Sequence, residues 1–480
     1  MKNVITNSSI YTVTSILQKA IGFFLLPIYT IYLTPEDYGI TGVVNALTAL
    51  LSLLFTLSLN SSVQRYYYIY DDRPVERQYF FGTIILTVLA NSLFLGFLLI
   101  IFKDILILPF VNNIQFYPYI FIGILTIIVN PIYTIYQTLL QTMEMAKDFA
   151  LNSLLNFISL ISLNLIFIIV FRLGATGQLL SYLIVGLIFG LYSLYSLVKK
   201  RIIKIGFSIE YLREGLSYSI PLLPHLLSTN IANLVSRLFL NNQVSTSGVG
   251  LFNLSSQIML IIDTLQMSVN SAYIPWFYGL MNKGREEHYQ VIKFADIICR
   301  GYLFISLGVL FFAKEVIILF TADAYHLAWT IVPIMLIAYQ IRSIYLFFIN
   351  TLFYNTRGSR FIFFASLSGS LLNIIVSAKY TETFGIQTPA IAILIQNLFM
   401  AGLAIYMSNK IEPVAFGLKK MVSYVLLLIV ISLGIYHLDS QAMLSINWSW
   451  TFIKLILIIA IFPCLFYSDI KQMVSNYRGK

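Results

Sequence analysis

Residues 7–39 read NSSIYTVTSILQKAIGFFLLPIYTIYLTPEDYG and join a long hydrophobic run to a short turn that contains Pro, Asp and Gly. The run, residues 7–33, is about 27 residues long, enough at ~1.5 Å per residue to cross a bilayer with some tilt. Lys19 lies near its middle, roughly 18 Å from the start and beyond easy snorkelling reach. Because a cation at that depth is costly when it faces lipid, Lys19 is predicted to face protein or water.

The whole chain has the composition of a polytopic membrane protein. Of its 480 residues, 59% are hydrophobic and only 10% are charged, whereas a soluble domain is about 25% charged. The mean hydropathy is +0.84. The two cysteines, Cys299 and Cys464, both fall in hydrophobic runs, so a disulfide framework is not expected. Four scattered histidines without cysteine or carboxylate clusters give no metal-ligand spacing, and no cofactor is expected.

Breaks at charged residues and at Gly, Pro and Asn clusters divide the chain into about fourteen candidate transmembrane helices. The predicted spans are 7–33, 39–63, 79–102, 116–140, 150–171, 175–198, 215–240, 249–279, 291–312, 325–354, 361–380, 386–409, 419–437 and 449–467. The connections are short throughout. The sequence therefore predicts an all-α integral membrane protein without a soluble domain.

The distribution of basic residues predicts the orientation. With a cytoplasmic N-terminus, the inside segments carry 20 Lys and Arg residues, including Arg285, Arg357 and Lys480, and the outside connections carry 4. This asymmetry follows the positive-inside rule and places both termini in the cytoplasm. It also accounts for the net charge of +10, so no nucleic-acid partner is expected.

Three local matches at an offset of about 210 residues indicate an internal repeat. The matched pairs are 58–61 with 268–271, 103–108 with 314–319, and 174–176 with 385–387. They predict two pseudo-symmetric six-helix lobes, residues 1–210 and 211–410, followed by a terminal helix pair and tail, residues 411–480. Because six is even, the two lobes have the same orientation. Parallel repeats of this kind are typical of alternating-access transporters with the substrate site between the lobes, although a duplicated bundle can also persist for stability alone.

The two lobes, the extra helix pair and the Thr34–Gly39 turn together resemble the polysaccharide transporter (oligosaccharide flippase) family. A second short motif, Gly174–Gly177, adds to the resemblance, which covers essentially the whole chain. The family belongs to the multidrug/oligosaccharidyl-lipid/polysaccharide exporter superfamily, with the multidrug and toxin extrusion exporters and the lipid II flippases.

The resemblance implies a transporter rather than an enzyme, located in the bacterial inner membrane. It implies helices 1, 2, 7 and 8 around a central cavity, and movement of undecaprenyl-pyrophosphate-linked oligosaccharides from the cytoplasmic to the outer leaflet. O-antigen or another surface polysaccharide would be the product. Partners would then be the lipid-linked glycan, membrane lipid, and the polysaccharide polymerase and chain-length machinery.

Charged residues inside the predicted spans are the first candidates for substrate binding. Lys19 and Arg237 are interpreted as cavity cations for phosphate or acidic sugar, although Lys19 can equally be the buried partner of a carboxylate, and Arg237 can snorkel. Asp263 is the only acid well inside a span, and it is expected either to pair with Lys19 or Arg237 or to couple transport to H⁺ or Na⁺. Arg300 and Arg342 are deep enough to need water or partners, and they are candidates for a side cavity.

Two asparagines at corresponding positions of the repeat are further candidates for substrate binding, and one further lysine is not. Asn60 and Asn270 are each expected to end a helix ahead of an aromatic cluster, where their amides would contact sugars or simply lie in an aromatic belt at the interface. Lys454, next to Trp448 and Trp450, is interpreted as an interfacial residue without a site role.

Three functions remain open at this point. A lipid-linked oligosaccharide flippase, or its neighbour a lipid II flippase, fits the excess of deep cations over deep acids, which favours an anionic substrate. A cation-coupled multidrug exporter would favour cavity acids instead. A membrane enzyme such as a polymerase or acyltransferase is disfavoured, because the chain lacks a large outside loop and a His/Asp pairing.

Overall fold

A computed structural model describes residues 2–283, 288–355 and 359–478. Every regular element in these ranges is a helix, which confirms the all-α prediction. Twelve helical segments of the described residues are long and apolar enough to cross a membrane, so the chain is a multi-pass membrane protein. Arg285, Arg357 and Lys480, which the charge count includes, lie outside the described residues.

The number of spans depends on two segments. One of the twelve, Phe361–Ile411, contains two helices separated by a short turn. The predicted seventh span overlaps the helix Leu223–Gln243, which is not among the twelve because its asparagines, serines and arginine lower its hydropathy. The count of fourteen therefore stays a prediction.

The chain divides into two compact units, Met1–Gly250 and Leu251–Lys480. Unit 1 contains α1 (Lys2–Phe24), α2 (Leu26–Tyr32), α3 (Pro35–Thr56), α4 (Leu59–Ile69), α5 (Pro74–Ile101), α6 (Lys103–Leu106), α7 (Phe121–Thr142), α8 (Ala146–Leu165), α9 (Gly174–Lys199), α10 (Ile209–Ser219) and α11 (Leu223–Gln243). A long helix, α12 (Thr246–Met281), begins in unit 1 and continues into unit 2. Unit 2 also contains α13 (His288–Phe320), α14 (Val332–Tyr354), α15 (Ser359–Phe384), α16 (Thr388–Ile411), α17 (Leu418–Ser440) and α18 (Trp448–Arg478). The lobe boundaries at 210 and 410 rest on the sequence repeat and stay a prediction.

The turn that ends the opening stretch is a packing centre of unit 1. Thr34 and Asp37 form a capping box at the start of α3, with the Asp37 N–H donating to Thr34 Oγ1 at 3.1 Å. Asp37 Oδ1 also accepts a hydrogen bond from the Ala175 N–H at 2.9 Å, at the start of α9. One carboxylate therefore satisfies backbone donors at two helix N-termini, where a negative charge is also favoured by the helix dipoles.

Glycines let a second helix start approach the same turn. A Cβ atom on Gly39 would lie 1.9 Å from the Thr246 carbonyl oxygen, and one on Gly250 would lie 1.9 Å from the Pro35 carbonyl oxygen. Real Cβ atoms cannot be accommodated at such distances. The backbones of α3 and the first turn of α12 are therefore in direct contact.

The paired motifs at 174–176 and 385–387 share a backbone feature. Gly174 and Gly385 both have φ of +54°, in the left-handed region that glycine adopts at little cost. Gly174 is the first residue of α9, and Gly385 begins the 3₁₀ turn directly before α16. The sequence match therefore corresponds to the same local conformation in each unit.

Within unit 1, helix α10 is held against the end of α4 by hydrogen bonds from two tyrosines to Glu214. The Tyr70 hydroxyl donates a short hydrogen bond to Glu214 Oε2, and the Tyr66 hydroxyl donates to the Glu214 backbone carbonyl at 3.2 Å. Burial of the hydroxyl is the main cause that raises the pKa of Tyr70, and the hydrogen-bonded Glu214 carboxylate raises it further. A single 3₁₀ turn containing Pro221 then separates α10 from α11. These contacts fix the point at which α11, the helix of Arg237, begins.

Candidate functional site

Lys19 lies on an exposed face of α1. The packed face of this helix contacts α8, through a hydrogen bond from Gln18 Nε2 to the Ser153 carbonyl oxygen at 2.9 Å and an edge-to-face contact of Tyr11 with Phe149. Lys19 is not part of this packed face and its side chain is exposed. The Lys19 side chain thus lies outside the core of unit 1, and its contact with an anionic ligand stays a prediction.

Arg237 lies nearly two turns before the end of α11 and is half-buried. It donates hydrogen bonds to the Asn233 side-chain and backbone oxygens of the preceding turn. The end of α11 is held firmly in unit 1. Asn241 Nδ2 donates to the Asn112 carbonyl oxygen at 2.5 Å, and Asn242 Nδ2 donates to the Phe110 carbonyl oxygen at 2.9 Å. The helix that carries Arg237 is therefore rigidly placed against the segment after α6.

Asp263 and Arg342 form an ion pair inside unit 2. Arg342 Nη1 lies 2.5 Å from Asp263 Oδ1, and the two side chains are 24% and 27% exposed. The guanidinium also lies over the Tyr339 ring, 5.4 Å from its centroid. The counter-ion that the structure shows for Asp263 is therefore Arg342. Sequence reasoning offered Lys19 and Arg237 for this role and did not connect the two deep residues that meet between α12 and α14.

Arg300 is used within the packing of unit 2. It is only 7% exposed. Its Nη2 lies 3.1 Å from Asp296 Oδ2, and its Nη1 donates to the Leu465 carbonyl oxygen on α18 at 2.9 Å. The Tyr424 hydroxyl on α17 donates to Asp296 Oδ1 at 2.8 Å. Arg300 and Asp296 therefore connect α13 to both terminal helices, and a substrate contact for Arg300 stays an untested prediction.

Asn60 and Asn270 do not end helices, which corrects the sequence-based expectation. Asn60 is the second residue of α4, after a break at Leu57 and Ser58, whose φ values are 50° and 51°. Asn270 lies inside α12, which continues to Met281 because its aromatic residues pack into the core. There Asn270 Oδ1 accepts a hydrogen bond from Asn350 Nδ2 of α14 at 2.8 Å. The repeated asparagines therefore occupy different local structures.

Lys454 is not an interfacial residue, and this expectation was wrong. Its side chain is 0% exposed, and its Nζ donates to Glu315 Oε1 and to both carboxylate oxygens of Asp439, each at 2.8 Å. Lys314 Nζ joins the cluster by donating to the Asp439 and Ala442 carbonyl oxygens at 2.9 and 2.6 Å. Two lysines and two carboxylates are thus buried together where α13, α17 and α18 meet.

Helices α3, α7 and α9 of unit 1 line a partly open cavity of about 200 Å³ that sequence analysis did not anticipate. All its lining residues are uncharged, and the polar ones are Asn45, Thr48, Ser52, Thr126, Asn130 and Tyr182. All three helices are candidate membrane spans. The sequence signal was available as polar residues at helical spacing within apolar runs, but each was too weak alone to distinguish from helix packing.

Comparison with known proteins defines the class. The solved structure of the lipid II flippase MurJ in an inward closed conformation matches with a TM-score of 0.75 and 17% identity, over 96% of this chain and 99% of MurJ. An inward-facing multidrug resistance MATE family transporter of the MOP superfamily matches with a TM-score of 0.56 and 17% identity, over 85% of this chain and 95% of the other. The fold is thus one that these two solved membrane transporters share.

The sequence comparison gives the family. The family described as "Polysaccharide biosynthesis protein" matches residues 4–281, more than half of the chain. The chain therefore belongs to this family. A relative from Haemophilus influenzae, described as an uncharacterized membrane protein, is 20% identical over 396 residues, which is 80% of this chain and 94% of the relative.

Proposed function

We propose that this protein is a flippase that moves undecaprenyl-pyrophosphate-linked oligosaccharide repeat units from the cytoplasmic to the outer leaflet by alternating access. The product would be O-antigen or another surface polysaccharide. The observation that carries the proposal is the combination of a polysaccharide biosynthesis family with a multi-pass transporter fold. A repeat unit on a lipid carrier must cross a membrane before polymerisation outside, and a transporter of this family is the protein that such a step requires.

The charges of the described spans support an anionic substrate. Lys19 is an exposed cation in the last third of α1, and Arg237 is a half-buried cation on α11. The deep acid Asp263 is already neutralised by Arg342. A pyrophosphate head group is therefore offered cations, whereas a cationic drug would lack an uncompensated carboxylate to bind among these residues.

Lys19 is the residue that we assign to the pyrophosphate, with Arg237 as a second contact. We place Asp263 and Arg342 together as a polar pair that bears on the conformational cycle, with Asp263 as the acid through which H⁺ or Na⁺ coupling would act. Asn60 and Asn270 are retained as weaker candidates for sugar contacts. No cofactor and no nucleic acid enter the mechanism.

The charge asymmetry of the connections supports an orientation with both termini in the cytoplasm, and the proposed lipid-linked substrate implies the bacterial inner membrane. The lipid-linked glycan then enters from the inner leaflet, where its pyrophosphate and sugars leave water and its lipid tail stays in the bilayer. The polysaccharide polymerase and chain-length machinery would act on the delivered repeat unit on the outer side.

The test is the lipid-linked oligosaccharide pool after deletion of the gene. We expect undecaprenyl-pyrophosphate-linked repeat units to accumulate in the inner leaflet while surface polysaccharide is lost. Accumulation of lipid II instead would make the chain a lipid II flippase, the activity named for the matched structure. An unchanged pool together with higher sensitivity to cationic drugs would replace the flippase by an exporter.

A further inference from the structure

We propose that the cavity between α3, α7 and α9 binds a neutral sugar ring of the transported glycan. The proposal rests on the flippase function above and assigns a separate task to unit 1, the recognition of the carbohydrate rather than of the pyrophosphate. Four features of the cavity carry it: its regular construction, its uncharged hydrogen-bonding groups, its apolar wall and its size.

The cavity is built from matched helix faces. On α3 the polar residues Asn45, Thr48 and Ser52 follow one another at spacings of three and four, and so lie on one face. On α7 the residues Gly123, Thr126 and Asn130 repeat the same spacing. Two polar stripes therefore face a common space from two apolar helices. Polar groups in membrane-spanning helices carry a desolvation cost, so their convergence indicates a ligand or water between them.

The hydrogen-bonding capacity of the wall suits hydroxyl groups. The Thr48, Ser52 and Thr126 hydroxyls donate to carbonyl oxygens of their own helices at 3.0, 2.9 and 2.8 Å, which leaves their oxygens as acceptors. The exposed side chains of Asn45 and Asn130 each offer two donors and an acceptor. A sugar hydroxyl both donates and accepts, and this mixed set can satisfy several of them at once.

The same wall provides an apolar surface. Val44, Ile127, Leu179 and the Tyr182 ring border the polar groups. Sugar rings have C–H faces that pack on such side chains. Gly123 brings α7 close to α3, since a Cβ atom there would lie 2.6 Å from Val44 Cγ1 and 3.2 Å from Thr48 Cγ2. The two helices thereby close one side of the cavity.

The absence of charge in the lining residues and the volume of the cavity restrict the class of ligand further. None of the lining residues of this cavity carries a charge, so a phosphate, a uronic acid or an ammonium group finds no counter-ion there. The volume of about 200 Å³ is below the roughly 300–1,000 Å³ of drug-sized sites, and it suits one ring rather than a whole repeat unit.

The experiment measures binding to the full chain in lipid nanodiscs by native mass spectrometry with two probes. One is bare undecaprenyl pyrophosphate, and the other is the undecaprenyl-pyrophosphate-linked glycan extracted from host cells that lack this gene. The test variants are Asn45→Ala with Asn130→Ala, and Ala49→Leu, which narrows the cavity. Asn156→Ala on α8 makes the same chemical change in unit 1 outside the cavity lining and is the control.

We expect the wild-type chain to bind the glycan-bearing probe more tightly than the bare lipid. The double variant should lose about tenfold in affinity for the glycan-bearing probe, since one to two hydrogen bonds are removed, and Ala49→Leu should lose about as much because the larger side chain occupies the space of the ring. Both variants should keep their affinity for the bare lipid. Asn156→Ala should behave as wild type.

Two results overturn the sugar assignment while leaving the flippase function in place: an unchanged preference for the glycan-bearing probe in both variants, or an equal loss of affinity for the two probes. A wild-type chain that binds neither probe contradicts the proposed function itself. The retained binding of bare lipid shows that a variant is folded, so misfolding cannot imitate the expected pattern.

Discussion

Arg342 Nη1 lies 2.5 Å from Asp263 Oδ1, and this contact connects α12 and α14 within unit 2. Both residues are deep charges in the sequence, but nothing in their local patterns pairs them. The contact turns two separate site candidates into one neutral element. A paired acid and a lone coupling acid predict different effects of substitution on stability and transport, so the two can be distinguished by experiment.

Removing one partner of this pair should destabilise the protein. We expect Asp263→Ala to cost about 1.5–3 kcal/mol, the range for a hydrogen bond to a charged group, because Arg342 is left without its carboxylate. Thermal unfolding in detergent measures the loss. The exposed carboxylate Glu382 on α15 provides the control, and Glu382→Gln should leave the melting temperature unchanged.

The neutral double variant separates pairing from ion coupling. Asp263→Asn with Arg342→Gln should recover much of the stability lost in either single variant, since no uncompensated charge remains. If the pair is only structural, transport recovers as well. Transport that is abolished in a stable double variant assigns the pair a role in the transport cycle beyond stability.

Lys19→Ala should abolish transport of the lipid-linked glycan, while Lys19→Arg should retain part of it, because a guanidinium can replace the ammonium as a phosphate ligand. The readout is the flux of lipid-linked repeat units to the outer leaflet at matched protein levels. Lys147→Ala removes another exposed lysine, at the start of α8, and should have little effect. Full activity in Lys19→Ala would eliminate the cavity-cation assignment.

Lys454→Met should destabilise unit 2 by about 3–5 kcal/mol, the usual cost of leaving buried charges without their partner. Glu315 and Asp439 would both lose the ammonium that each contacts at 2.8 Å. Lower yield and a lower melting temperature are the expected measurements. Lys410→Ala, at an exposed lysine near the end of α16, is the matched control.

The buried cluster of Lys454 shows what sequence can and cannot provide. Its helix was predicted correctly because hydrophobicity over twenty residues is a strong local signal. The partner carboxylates, Glu315 and Asp439, lie 139 and 15 residues away in sequence, and only the packing of three helices brings them together. A lysine beside tryptophans has the same local pattern at an interface and in a buried ion cluster, so the interfacial interpretation followed the commoner case.

The candidate site likewise contains residues that the sequence predicts and residues that only the structure brings together. Lys19 was found because a single charge in an apolar run is visible without neighbours, and its contact with a substrate stays a prediction. The cavity of Asn45 and Asn130 was missed because amides and hydroxyls are frequent in membrane helices that merely pack. Its recognition requires knowing which faces of α3, α7 and α9 converge.

The turn after the first span provides the last prediction. Gly39→Val should prevent correct folding, because even a Cβ atom would lie 1.9 Å from the Thr246 carbonyl oxygen and both groups belong to helix backbones. Neither can move without displacing α3 or the start of α12. We expect little or no folded protein by size-exclusion chromatography of the detergent extract.

Gly22 on α1 is the control for this prediction, since nothing lies within 4 Å of a Cβ atom placed there. Gly22→Val should yield folded protein at close to the wild-type level, because it removes a flexible glycine from a helix and meets no neighbour. A normal yield of monodisperse Gly39→Val would contradict the close contact between the turn and α12. The Thr34–Gly39 turn would then follow from the packing of the surrounding helices and would not determine it.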